Sequence, residues 1–264
     1  MEEILEADAY FNRGVAHYEN GKNEAALADF SQVIALRPTD GKAFYNRAVV
    51  REAEGNLAEA IKDYSAAIVN DPQDTDALLN RGLLRIQLGE TTEALLDFDT
   101  LLTLDPADSR GYYSRGDLRL ALGDLEGAIT DFVATLSLNP EDAFAWNCTG
   151  VAYLRSEDLD EALANFNRAI EVDPKYSEAY FNRGGTFYLK GDKELALADF
   201  ERAIAITPEY AEVYANRSVV RFELGYEHGA IQDLEMAAAL YQKQGNLNAY
   251  FKMLDILDDA LGEG

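Results

Sequence analysis

The sequence predicts an all-α chain of stacked helix pairs, and three observations carry that prediction. The six prolines, Pro38, Pro72, Pro106, Pro140, Pro174 and Pro208, stand 34 residues apart, and self-similarity of that length marks units that cover one another's apolar faces. Cutting the chain at 7, 41, 75, 109, 143, 177 and 211 gives seven repeats, in each of which apolar residues recur at helical spacing twice over. Between the two runs, at repeat position 15, stand Gly21, Gly55, Gly89, Gly123, Gly191 and Gly225, with Glu157 alone departing. Glycine closes helices there by adopting the left-handed conformation.

The first helix of each repeat carries a small residue at position 8 (Gly14, Ala48, Gly82, Gly116, Gly150, Gly184, Ser218), where its partner helix must come close. The second carries alanine at position 20 (Ala26, Ala60, Ala94, Ala128, Ala162, Ala196, Ala230) and a bulky residue four places on. These are Phe30, Tyr64, Phe98, Phe132, Phe166, Phe200 and Leu234. Small against large at that spacing is how two close helices interdigitate, and the proline at position 32 then forces the chain out of the helix. In the seventh repeat Gln242 replaces the proline, so its helix is expected to run on to Gly245. Asn246 or Asn248 then caps a final helix, whose Leu247, Tyr250, Phe251, Leu254, Leu257 and Leu261 are expected to cover the last pair while Asp255, Asp258 and Asp259 face water.

An aromatic at position 4, Gly or Ala at 8, Ala at 20, an aromatic at 24 and Pro at 32 resemble the tetratricopeptide repeat (TPR), across residues 7 to 244. The resemblance implies a right-handed superhelical solenoid of seven helix-turn-helix repeats over residues 1–244, closed by a capping helix over 245–264. It also implies a scaffold that binds another protein or peptide, since the family mostly serves unrelated partners rather than one chemistry.

Composition narrows the partners. With 48 acidic against 23 basic residues and a net charge of -25, the field around the chain repels phosphate backbones and anionic lipid, so no nucleic acid and no membrane insertion are expected. A lone cysteine, Cys148, makes no internal disulfide and no cysteine-rich metal site. The opening Met-Glu-Glu-Ile-Leu-Glu has neither the cationic nor the apolar segment of a signal peptide. A cytoplasmic protein is expected.

Comparing the repeats with one another separates structural from binding positions. Position 7 reads Arg13, Arg47, Arg81, Arg115, Thr149, Arg183, Arg217, and position 23 reads Asp29, Asp63, Asp97, Asp131, Asn165, Asp199, Asp233. Both partners are lost together in the fifth repeat, which predicts a salt bridge between the two helices of a repeat. Position 6 reads Asn12, Asn46, Asn80, Ser114, Cys148, Asn182, Asn216. In the family the resemblance points to, that side of the first helix lines the inner, concave surface. A primary amide offers donors and an acceptor together, so such a row suits the backbone of an extended peptide, similar to the asparagine ladder of O-linked N-acetylglucosamine transferases.

The expected peptide-binding set is therefore Asn12, Asn46, Asn80, Asn182 and Asn216 with Phe11, Tyr45, Tyr113, Phe144 and Phe181 beside them. The carboxylate clamp found elsewhere in the family needs Lys and Arg at the positions where this chain has Phe11, Asp76, Asn80, Asn147, Glu212 and Asn216. An acidic tail would be repelled, so a neutral-to-basic segment is expected, with Glu178, Glu212 and Glu223 among the groove acids. Tyr18, Tyr188 and Phe222 serve either that groove or the gap between helices. The fifth repeat, with Trp146-Asn147-Cys148-Thr149, joins Arg110, Phe144 and Arg155 as either a specificity pocket or a product of drift.

No enzyme is expected. His17 at position 11, normally a packing position, and His228 accompany no nucleophile or metal-ligand set, and neither GxxxxGK[ST] nor GxGxxG occurs. No metal or cofactor is expected. Self-association into a homo-oligomer is the first alternative to an adaptor, a catalytic subunit the second.

Overall fold

Each 34-residue period becomes two helices because three local devices break the chain at fixed places. A computed structural model describes residues 2–262, of which residues 2–4 and Leu261 are described by their backbone alone. At the first break Gly21, Gly55, Gly89, Gly191 and Gly225 all take positive φ, between 70° and 89°, which costs glycine little and other residues more. Glu157 takes the same conformation, φ 64°, without glycine's freedom. At the second break the residue before each proline turns extended, as Arg37 does at φ -133° and ψ 81°, because the proline ring excludes the helical region for its predecessor. The third device restarts the helix: Asp40, Asp74 and Asp142 accept hydrogen bonds from the backbone N–H of Ala43, Ala77 and Ala145 at 2.9–3.1 Å.

The chain forms two compact units, residues 1–122 and 123–264. The first holds α1 (Glu2–Glu19), α2 (Asn23–Leu36), α3 (Gly41–Ala53), α4 (Leu57–Asn70), α5 (Thr75–Gln87), α6 (Thr91–Leu104) and α7 (Ser109–Leu122). The second holds α8 (Leu125–Leu138), α9 (Ala143–Arg155), α10 (Leu159–Val172), α11 (Ser177–Lys190), α12 (Lys193–Ile206), α13 (Ala211–Glu223), α14 (Glu227–Lys243) and α15 (Leu247–Leu261). Within each unit every helix packs on the next in sequence, and there is no strand among the described residues.

The core runs along the pairs. Every position-20 alanine is fully buried, and the position-24 side chains are at most 2% exposed. The small residue at position 8 is required by that ring: a Cβ at Gly82 or Gly150 would lie 2.6 Å from Phe98 or Phe166, closer than carbon atoms pack.

Between the helices of a repeat the expected ion pairs form. Arg13, Arg47, Arg81, Arg183 and Arg217 each place Nε and Nη2 on the two carboxylate oxygens of Asp29, Asp63, Asp97, Asp199 and Asp233, at 2.6–3.0 Å. Of the sixth expected pair, Arg115 lies in the first unit, where it bonds Asp99 at 2.5 Å, and Asp131 lies in the second. A second arginine at position 11 joins three of the aspartates: Arg51, Arg85 and Arg221 donate to Asp63, Asp97 and Asp233 at 2.6–2.9 Å. His17 occupies that same position, and its Nδ1 stands 3.1 Å from Asp29 Oδ2. The expectation of a plain packing residue there is corrected, because position 11 faces the buried carboxylate.

The last helix departs from its expected face. Asn246 caps α15 by accepting from Ala249 N–H at 3.2 Å. Met253 and Leu257 are buried against α14, with Tyr250 and Leu254 beside them, while Leu247 and Phe251 are each 56% exposed. At about 100° per residue, Leu247 and Phe251 are rotated away from the stripe centred on Met253 and Leu257.

Candidate peptide-binding face

The residues at positions 5 and 6 sit on neighbouring sides of each first helix. In the first unit Phe11 packs edge-on against Phe30, centroids 5.8 Å apart, and Tyr45 against Tyr64 at 5.6 Å. Half of each ring thus belongs to the core and half to the surface. Asn12 is exposed, and Asn46 donates one N–H to Lys42 O of its own helix at 2.8 Å, keeping its second N–H and its Oδ1. Asn80 instead reaches 35 residues back and donates to the Tyr45 hydroxyl at 3.1 Å. Tyr113 is half-buried on α7.

The second unit repeats the scheme with more internal bonding. Phe181 packs against Phe200 and Tyr210, at 6.0 and 5.2 Å, and Phe144 lies 4.9 Å from Tyr176 while remaining 61% exposed. Asn182 donates to Asn147 Oδ1 at 3.0 Å, Asn147 to the Tyr176 hydroxyl at 3.4 Å, and that hydroxyl to Glu178 at 3.4 Å. Asn216 donates to Glu212 O at 2.8 Å and lines a cavity of about 360 Å³ shared with Phe222, Tyr241 and Met253, between α13 and the last helix.

Tyr176 and Tyr210 were not among the expected site residues. They stand where the earlier repeats place the capping aspartates Asp40, Asp74, Asp108 and Asp142, and neither makes a side-chain cap bond. The signal was that departure: an aromatic in a capping slot gives up a hydrogen bond for another role. Burial, with Glu178 and Glu212 close by, pushes the Tyr210 phenol up to about 12, so it remains a donor through neutral pH.

Two expectations about charge are revised. Arg110, expected as a cation of the binding face, spends its guanidinium on Asp108 and Asp76 within the first unit, at 2.6 and 2.9 Å. Glu223 accepts from the Tyr188 hydroxyl at 2.8 Å and pairs with Lys193 at 3.1 Å. Glu178 and Glu212 stay exposed. Tyr188 and Phe222, read as serving either groove or gap, are each half-buried and packed against a core cluster.

The tetratricopeptide repeat profile matches residues 11–75, 45–109, 79–144, 113–170 and 149–211, together most of the chain. The chain belongs to the tetratricopeptide repeat family. A tetratricopeptide repeat protein from Parabacteroides merdae is similar over 95% of this chain and 99% of its own, at 22% identity and a TM-score of 0.73. YrrB, described as a TPR protein with an unusual peptide-binding site, is similar over 70% of this chain and 95% of its own, at 25% identity and a TM-score of 0.61. The Cut9–Hcn1 hetero-tetramer of the APC/C contains a chain similar over 96% of this one and 49% of its own, at 18% identity and a TM-score of 0.67. No curated protein matches the chain in sequence. Proteins of this family are in general non-catalytic interaction scaffolds that bind proteins or peptides. Among the described residues no helix is long and apolar enough to cross a membrane.

Proposed function

We propose that this tetratricopeptide protein is a cytoplasmic, non-catalytic adaptor that holds an extended, neutral-to-basic segment of another protein along the position-5 and position-6 side chains of its first helices. In this reading residues 1–244 act as seven repeats and 245–264 as their cap. The observation that carries it is the recurrence of accessible amides at the repeat period: Asn12, Asn46 and Asn216 each keep an N–H and a carbonyl oxygen for an incoming backbone. The half-exposed rings of Phe11, Tyr45 and Phe181 and the exposed carboxylates of Glu178 and Glu212 favour apolar and cationic side chains on that segment. The acidity of the chain speaks against nucleic acid as the partner.

The test follows from the bonding. Asn80 and Asn182 hold other side chains, and replacing Asn182 would take the donor from the Oδ1 of the buried Asn147, so they are kept. Asn12, Asn46 and Asn216 are replaced together by alanine, a better helix former. Partners captured from native lysate by the wild-type chain are then bound to both proteins. At about 1 kcal/mol per amide the triple variant should bind roughly a hundredfold more weakly with its circular dichroism unchanged. Equal affinity would refute the proposal. A second reading, self-association, draws on the exposed Leu247 and Phe251 of α15, and sedimentation of the purified chain separates the two.

A further inference from the structure

The fifth repeat keeps the walls of an arginine site and lacks the arginine. In the sixth repeat the Arg183 guanidinium lies between the rings of Tyr180 and Phe187, at 5.5 and 5.9 Å, and bonds both oxygens of Asp199 at 2.7 Å. Four other repeats hold their arginine over the position-4 ring at 5.1–5.7 Å: Arg13 on Tyr10, Arg47 on Phe44, Arg115 on Tyr112 and Arg217 on Tyr214. In the fifth repeat Trp146 and Tyr153 stand at the two ring positions, but Thr149 replaces the arginine and Asn165 the aspartate. Thr149 turns its hydroxyl inward to Ala145 O at 2.7 Å.

What remains is a cavity of about 340 Å³ between α8, α9 and α10, walled by Val133, Leu136, Trp146 and Tyr153 and carrying Glu161 and Asn165. Asn165 is only 7% exposed, and its amide N–H goes to Glu161 O at 2.8 Å. Its Oδ1 accepts no hydrogen bond among the described residues. Arg168 covers Trp146 at 5.5 Å, as Arg202 covers Tyr180 at 5.9 Å, and bonds Glu171 at 2.5 Å. The sixth repeat shows that such a ring accommodates this outer arginine and the inner one together.

We propose that this cavity binds a guanidinium from outside the chain, the arginine side chain of a basic segment of a partner. The planar cation stacks on Trp146 and Tyr153, donates to Asn165 Oδ1 and is balanced by the Glu161 carboxylate. An ammonium has neither the plane to stack nor the fork to reach both acceptors, so the site discriminates arginine from lysine. This site is separate from the asparagine face.

Trp146 is the sole tryptophan, so its fluorescence reports the site directly. The full chain is titrated with N-acetyl-arginine amide and with N-acetyl-lysine amide through the millimolar range at constant ionic strength. The arginine derivative should give a saturable change in emission, at least about tenfold weaker for lysine. T149R/N165D, which rebuilds the internal pair, should abolish the response; N165L, which removes the acceptor without filling the site with charge, should weaken it several-fold. N12A/N46A/N216A should respond like wild type, which separates this site from the asparagine face. No saturable response in wild type, an equal response to lysine, or an undiminished response in N165L would overturn the proposal.

Discussion

Arg81 grips both oxygens of Asp97, at 3.0 and 2.6 Å, while Arg85 reaches one of them at 2.6 Å. Asp97 is 3% exposed. A buried carboxylate is tolerated there only because two guanidinium groups replace the water it gave up. Asp97→Ala, which leaves two arginines facing each other, should cost about 2–3 kcal/mol, and Arg81→Ala, which leaves Arg85 in place, about 1–2 kcal/mol. The double variant should cost less than the sum, read by urea unfolding. Strict additivity would show that the pair contributes no coupling.

Glu157 holds a left-handed backbone where the other helix stops use glycine. Glu157→Gly removes that strain and should raise stability by about 1 kcal/mol in spite of the greater freedom of the unfolded chain. Thermal melts of the two proteins decide the matter; an unchanged or lower Tm would mean that Glu157 contributes something beyond its backbone.

The close approach of Gly82 to Phe98 reverses the usual effect of glycine in a helix. Gly82→Ala gains about 1 kcal/mol in helix propensity. It also drives a methyl into the ring at 2.6 Å, and overpacking of that kind costs about 1–3 kcal/mol. The expected net effect is destabilising, with the reverse substitution Ala48→Gly milder than a usual core truncation. A stabilised Gly82→Ala protein would show that the Phe98 ring yields freely.

The hydrogen bonds and charge of Arg13 hold the Asp29 carboxyl below the usual carboxylate range. Because the folded-state value is lowered, the contribution is complete above the unfolded value of about 3.9 and disappears as pH falls through the folded value. The stability of the wild-type chain should therefore drop more steeply below about pH 4 than that of Asp29→Asn. Urea midpoints measured down the acid limb provide the check, and parallel curves would remove Asp29 from the acid response.

Deleting residues 245–264 uncovers Ala238, Leu240 and Tyr241, which α15 helps to bury. Solubility and Tm should fall further than after deletion of residues 1–6, since an uncovered terminal repeat exposes core. Equal effects from the two truncations would mean that α15 is no cap.

The sequence by itself determined the helix pairs and their ties. Periodicity places every break, because proline, glycine and capping aspartate act through local backbone geometry that neighbours do not alter. The Arg and Asp columns were legible for a related reason: two positions that change together in one repeat constrain each other. The tertiary structure decided how the polar side chains spend their bonds. Asn80 and Asn46 occupy the same column, yet one amide reaches Tyr45 and the other folds back to Lys42 O, a choice set by what the preceding repeat presents. It likewise decided that Arg110 is neutralised by Asp108 and Asp76, and that the fifth repeat leaves a walled space rather than a collapsed one. A side chain's partner across the stack depends on distances of a few ångströms between residues some 30 apart in sequence, and residue type alone carries no such distance.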